Sequence, residues 1–462
     1  MTAVLPALSS AFHAIAILSY LCVLTVTLFT ESAAFSAAGF LFATGCAFTA
    51  SCLSSRRAGV DYMFLFFFTF FLAMPAYVQH RVGVFPFNVA LSSRQLTQAY
   101  ALLSASLLSY LLALSYGIRV KEPRRGSTLS REEGTPKFYT LWAWSIAFGS
   151  LCLLLGAGPS TFLTARFDEA AHAAMKADSL KTQLSFIARS TAVLAMVMLL
   201  YLVRLLPSGR LRRQNLIALC LYSPVFLFLN FPPALPRFML FGVVLALCCP
   251  FIDFSRPRNK VLTTVCAVPT LLFVFPVIKA LGTGDADAVL SAMSDPRYRL
   301  DAYLLRVDFD GFLWVVMTQE YLDRGGALRW GMNFIGVALF FVPRAIWPGK
   351  PIHTGELVSS ALGFPYTNVA SPLPAEALVS FGVVGPLVVL ACAGYLIARV
   401  ETEGIVRGGR LSRLFLHAIS TAFIVIIARG ALNSGAPMFA SGFLAYEIMM
   451  VTARVPIMWR FR

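Results

Sequence analysis

The chemistry of this chain is concentrated in the stretch FFVPRAIWPGKPIHTGELVSSALGFPYTNVASPLPAEALVSFGVVGPL, where Arg344, Lys350, His353, Glu356 and Glu376 fall among prolines and glycines. Rigid turns of that composition bring cations, an imidazole and two carboxylates close together in sequence. A transferase acting on a phosphorylated donor needs both kinds of group: cations to hold the leaving anion and a proton acceptor for the attacking hydroxyl. Proline-rich charged stretches are also ordinary solvated connections, and His353 has no second histidine or cysteine beside it to suggest a metal. Glu376 is harder to read that way. It stands at the mouth of an apolar run, where an ionised carboxylate must be paired or hydrogen-bonded and where partial desolvation favours the protonated form. Glu376 and His353 are therefore the two candidate bases, Glu376 tuned by its surroundings and His353 needing no tuning. Glu447 lies inside the last apolar run without motif neighbours and reads as a packing or ion-pairing group.

Further cations stand where a charge is costly: Arg189, Arg237, Arg344 and Arg429 lie in or at the ends of apolar runs. Arg237 directly follows PPALP, a stiff turn that fixes its direction, and guanidinium forks suit phosphate oxygens. Any one of them can instead snorkel to lipid headgroups or pair with a carboxylate. Taken together, Arg237, Arg344 and Arg429 with Lys350 make a pyrophosphate-binding set.

These residues need a scaffold, and composition says which. The chain has 462 residues, 58% of them hydrophobic and 13% charged, with apolar runs recurring along nearly its whole length. In water this is a surplus of apolar surface, so the solvent is lipid. Runs that long, without the alternation of a barrel, satisfy their backbone groups only as helices. The expected fold is an all-α polytopic bundle of about twelve spans, at 8–30, 33–53, 62–79, 96–117, 138–157, 185–203, 215–231, 236–252, 261–281, 375–398, 413–428 and 436–453. The first apolar run lacks a basic leader and a cleavage site, so it is expected to be retained. Lysine and arginine cluster in alternate connections: Arg56 and Arg57, 119–137, 204–213, Arg256 to Lys260, 399–413 and the tail from Arg454. By the positive-inside rule these connections and both termini are cytoplasmic.

The net charge of +16 thus reports topology and not nucleic-acid binding. The nine cysteines have no metal-type spacing. Three regions follow: spans in 1–281, a long outward segment in 282–374, and spans in 375–462. Within the long segment, RYRLDAYLLRVDFDGFLWVVMTQEYLDR places Leu300, Tyr303, Leu304, Val307, Trp314 and Val315 on one helical face. Asp301, Arg306, Asp308 and Asp310 fall at its edges or beyond, the pattern of an interfacial helix. MNFIGVALFFV, too short to span, is expected to dip into the bilayer and return.

The succession Pro343-Arg344, Trp347-Pro348-Gly349-Lys350-Pro351, then Glu376 and Phe381-Gly382 opening a span, resembles the Wzy-type O-antigen and exopolysaccharide repeat-unit polymerases. Those are multispan proteins with a large outer loop, grouped with GT-C type glycosyltransferases and with O-antigen ligases. Leu378 and Ser380 stand where that family commonly has tyrosine and asparagine, and Arg237 matches by position an arginine heading a mid-chain span. The motif covers roughly 50 residues, while the resemblance in topology covers the chain. It implies a metal-independent, cofactor-free enzyme at the periplasmic face of a bacterial inner membrane, joining repeat units carried on undecaprenyl pyrophosphate. Donor and acceptor glycans on that lipid are the implied partners, with membrane lipid and a chain-length regulator protein. The alternatives are an O-antigen ligase, which His353 favours, and a lipid-linked oligosaccharide flippase. The flippase is disfavoured because no internal repeat is visible and the polar residues gather on one face.

Overall fold

The computed structural model describes residues 4–30, 32–120, 135–163, 179–270, 304–342, 344, 346–367, 369–404, 411–430 and 432–454. Throughout these the chain is all-α, without strands. The first half comprises α1 (Val4–Phe29), α2 (Ala33–Leu53), α3 (Val60–Val82), α4 (Ser93–Val120), α5 (Pro136–Ala157), α6 (Ser179–Leu205), α7 (Arg210–Leu229), α8 (Arg237–Cys248) and α9 (Pro257–Pro269). The second half comprises α10 (Gly311–Asp323), α11 (Met332–Ala338), α12 (Thr354–Ala361), α13 (Leu373–Phe381), α14 (Val384–Gly404), α15 (Leu411–Arg429) and α16 (Leu432–Arg454).

Among the described residues nine helices are long and apolar enough to cross a membrane: α1 to α7, α14 and α15. The chain is a multi-pass membrane protein by that measure. Three of the expected spans stand outside these nine. α8 has 12 residues, about 18 Å of helix, clipped by Pro236 before it and Pro250 after it. α9 is described only to Pro269, and the rest of its expected span lies outside the described residues. α16 has 23 residues, the length of a span, but stands outside the nine. The run expected at 375–398 is broken at Gly382, whose φ of +64° and ψ of −158° turn the chain between α13 and α14. Glu376 accordingly lies in a short separate helix and not at the head of a span.

α14 packs along α4, α15 against α3 and α8, and α6 against α5 and α16. Within α3 a π-helical turn at Phe68–Ala73 displaces the ladder by one residue, and Thr69 Oγ1 donates to the Leu65 carbonyl 2.8 Å away. At one end of the bundle, among the described residues, Arg57, Lys260 and Glu401 meet, and there the α2–α3 junction is built in an unexpected way. Lys260, read from sequence as a topology marker, is fully buried. Its Nζ donates to the carbonyls of Ser51 at 2.7 Å and Ser54 at 2.8 Å, and to that of Arg57, capping the end of α2. Glu401, from the end of α14, accepts from the backbone N–H groups of Val60 at 2.7 Å and Asp61 at 3.0 Å, and from that of Ala58, capping the start of α3. Asp61 accepts from Tyr110 Oη at 2.7 Å and from Ser51, with Arg57 at 3.4 Å. These charges are buried but hydrogen-bonded on every side, the condition under which buried ions are tolerated.

The opposite end holds the described part of the long segment. The helix expected to lie in the interface is instead packed inside the protein: α10 starts at Gly311, and every residue from Gly311 to Thr318 is buried. A 3-10 turn at Val307–Phe309 precedes it, so the helical register does not continue back through Leu304 and Val307. The outcome is that Val307, expected on the apolar face, is exposed, whereas Asp310, expected at the edge of that face or beyond it, is 2% exposed. Leu300 and Tyr303 lie outside the described residues.

Candidate functional site

The segment 369–376 is the spine of the site, and the turn 429–432 between α15 and α16 runs beside it. Ser371 and Gly430 pair as an isolated parallel bridge. Gly430 has φ of +92°, and a Cβ on it would fall 1.2 Å from the Ser371 carbonyl oxygen. Both the backbone conformation and the close approach require glycine. This register brings the N–H of Leu432 to Glu376 Oε1 at 3.4 Å.

Glu376 occupies the first turn of α13, where the helix dipole favours a carboxylate, and is 1% exposed. Its Oε2 accepts from Asn333 Nδ2 of α11 at 3.0 Å and from the Thr354 hydroxyl of α12. Asn333 Nδ2 also donates to Thr354 Oγ1 at 2.6 Å. One carboxylate therefore ties α11, α12 and the start of α16 to α13. Burial pushes its pKa above the ordinary carboxylate range, against the restraint of the hydrogen bonds.

Asp310 is a second buried carboxylate beside the same spine. Its Oδ2 accepts from Trp314 Nε1 at 2.9 Å and from the N–H of Ala370 at 3.2 Å. Oδ1 is buried without a hydrogen-bond partner among the described residues. Gln79 near the end of α3 fixes the approach to it, donating to the carbonyls of Leu304 at 2.9 Å and Phe309 at 3.0 Å. Burial raises the Asp310 pKa to about 6, while the positive charge of Arg429 and the two hydrogen bonds pull it down.

Arg429 closes α15 and lays its guanidinium on the Phe238 ring, 4.2 Å from the centroid. Phe238 meets Phe71 edge-on at 5.0 Å, and Phe71 stacks on Phe309 at 5.6 Å. These three rings form an apolar floor between Arg429 and the turn that presents Asp310. Arg237 is the first residue of α8, immediately before Phe238, so its backbone belongs to the same neighbourhood. Arg344 and Lys350 lie in the loop between α11 and α12 and bond to that loop. Arg344 donates to the carbonyls of Lys350 at 2.6 Å and Pro351 at 3.2 Å, and Lys350 Nζ donates to those of Phe340 at 2.7 Å and Val342 at 2.9 Å. His353 is the N-cap residue of α12, half-buried and one position before Thr354. Arg189 is buried in α6 with its guanidinium 5.5 Å from the Phe162 ring centroid.

The structure thus brings Glu376 together with Thr354, the neighbour of His353, and places Arg429 beside Phe238, the neighbour of Arg237. Sequence reasoning missed Asp310, Asn333 and Thr354 as site residues. Asp310 carried one available signal, an Asp-Gly pair opening a helix with Trp314 one turn on. Chemically the arrangement offers a cation on an aromatic surface acting on the desolvated Asp310, with a second buried carboxylate, Glu376, on the same spine, a setting for anion binding with proton transfer. Compared with family models, with curated proteins and with solved structures, the chain finds no match in any of the three.

Proposed function

We propose that the chain polymerises oligosaccharide repeat units carried on undecaprenyl pyrophosphate, acting as a metal-independent glycosyltransferase at the outer face of a bacterial inner membrane. The observation that carries this reading is that Asp310, which feels the charge of Arg429, and Glu376 are both buried against the segment 369–376, where the α15–α16 turn pairs with it. A guanidinium beside an aromatic floor suits a pyrophosphate leaving group next to a sugar, and a desolvated carboxylate suits deprotonation of an acceptor hydroxyl. The motif running from Pro343 to Gly382 supports the same reading, with Arg237, Arg344 and Lys350 assigned to the anion site, the last two by exchanging the loop carbonyls they bind for phosphate oxygens, and Glu376 or His353 as base. Twelve spans, both termini cytoplasmic and a chain-length regulator as partner belong to this proposal.

A second reading, a flippase for the same lipid-linked glycan, takes its support from the buried ionic group of Lys260, Glu401, Asp61 and Arg57 at the other end, since intramembrane charges also mark transport paths. Deleting the gene and displaying surface polysaccharide on a gel separates the readings. A lost ladder with single-repeat capped material retained supports the polymerase. Loss of all capped material favours the flippase or a ligase, and an unchanged ladder removes all three.

A further inference from the structure

Of the two buried carboxylates, Glu376 has both oxygens occupied: Oε1 by the Leu432 N–H, Oε2 by Asn333 and Thr354. Its carboxylate is the shared acceptor for contacts that hold four helices, so protonating it weakens them. Asp310 is built differently. Oδ2 is fixed by Trp314 and Ala370, whereas Oδ1 is buried and keeps its lone pairs unengaged among the described residues. An orphaned buried acceptor costs about 1–3 kcal/mol, and it stands beside the arginine best placed for an anion.

We infer that Asp310 is the proton acceptor of the transfer reaction and that Glu376 is a positioning residue; this rests on the glycosyl-transfer reading above. The acceptor O–H gives its proton to Asp310 Oδ1, and the freed oxygen pair forms the new bond to the anomeric carbon of the donor. The bond from that carbon to the pyrophosphate oxygen breaks, its electron pair leaving with the lipid pyrophosphate, which Arg429 faces. Asp310, now a neutral acid, returns its proton to the departing anion or to water. The charged groups acting on Asp310 are Arg429 from α15 and Asp308 from its own turn. Arg429 favours the ionised form and Asp308 opposes it, so the base is available at neutral pH and is lost in acid.

The test uses the full chain in a deletion strain, and in membranes of that strain containing the lipid-linked single repeat. Asp310→Asn, present in the membrane at wild-type level, is expected to lose the ladder and to slow polymer formation about 100-fold, with Asp310→Glu recovering part of it. The wild-type rate is expected to fall about tenfold from pH 7 to pH 5, a change that a purely structural residue does not produce. Glu376→Gln keeps this acidic limb at a lower plateau. Trp314→Phe removes a donor to the ionised form and moves the limb to higher pH. A full ladder from Asp310→Asn, or a wild-type rate flat between pH 5 and 8, overturns the inference. Should Asp310→Asn fail to accumulate, the wild-type profile and the Trp314→Phe shift decide it, an unshifted limb counting against. Failure of the polymerase reading is seen separately, as an unchanged ladder in the deletion strain before any variant is made.

Discussion

Glu376 collects hydrogen bonds from three helices other than its own, and its removal leaves an amide, a hydroxyl and a backbone N–H buried without their acceptor. Glu376→Ala is expected to destabilise the protein by about 3 kcal/mol or more, read as a lower thermal midpoint in detergent and less protein in the membrane. Glu376→Gln and His353→Ala separate the two bases named from the sequence. A full ladder from the glutamine variant with none from the alanine variant passes the catalytic role to His353. Arg429→Lys keeps the charge but loses the planar stack on Phe238 and the bidentate fork. Turnover is expected to fall at least tenfold while the protein still accumulates, and full activity in that variant removes Arg429 from the anion site.

The elements that assemble the site are short and non-consecutive, and one backbone pairing sets their register. Substituting Gly430→Ala puts a methyl group into the Ser371 carbonyl at a φ of +92°. The α15–α16 turn cannot then lie beside the spine, and loss of protein from the membrane is expected, measured by immunoblot against the wild type. Accumulation at the wild-type level would mean that the bridge is dispensable. The same pairing shows why the sequence was only partly legible. Helices with an apolar run of a span's length announce themselves, so α1 to α7 and α15 could be read to within a few residues, whereas the run read as 375–398 is divided by the turn at Gly382 between α13 and α14. Glu376 and Arg429 were legible because a charge beside an apolar run is conspicuous. Asp310 was assigned to a helix edge because the periodicity was carried across Val307–Phe309, where a 3-10 turn changes the register. Thr354 and Asn333 are small neutral groups whose importance arises only from what lies opposite them, 22 and 43 residues away in sequence.

Among the described residues, the buried ionic group at the α2–α3 junction and the carboxylate site lie at opposite ends of α3, so a labelling map can orient both at once. In a background without the nine cysteines, Ser92→Cys is expected to react with an impermeant thiol reagent in intact cells and Ser208→Cys only after permeabilisation. The reverse pattern inverts the bundle; Ser291, the probe position suggested by the long segment, lies outside the described residues. The buried caps at the α2–α3 junction bear on how such a bundle is made. Lys260 stands 209 residues after Ser51, and Glu401 stands 341 residues after Val60. When the first helices leave the ribosome and enter the bilayer, the carbonyls ending α2 and the N–H groups opening α3 have no partners yet. They gain them only when α9 and then α14 arrive, so an early hairpin remains unfinished until nearly the last helices are synthesised. The junction is thereby a built-in gauge of completeness: a chain halted before α14 keeps the N–H groups of Ala58, Val60 and Asp61 without the carboxylate that caps them in the finished protein.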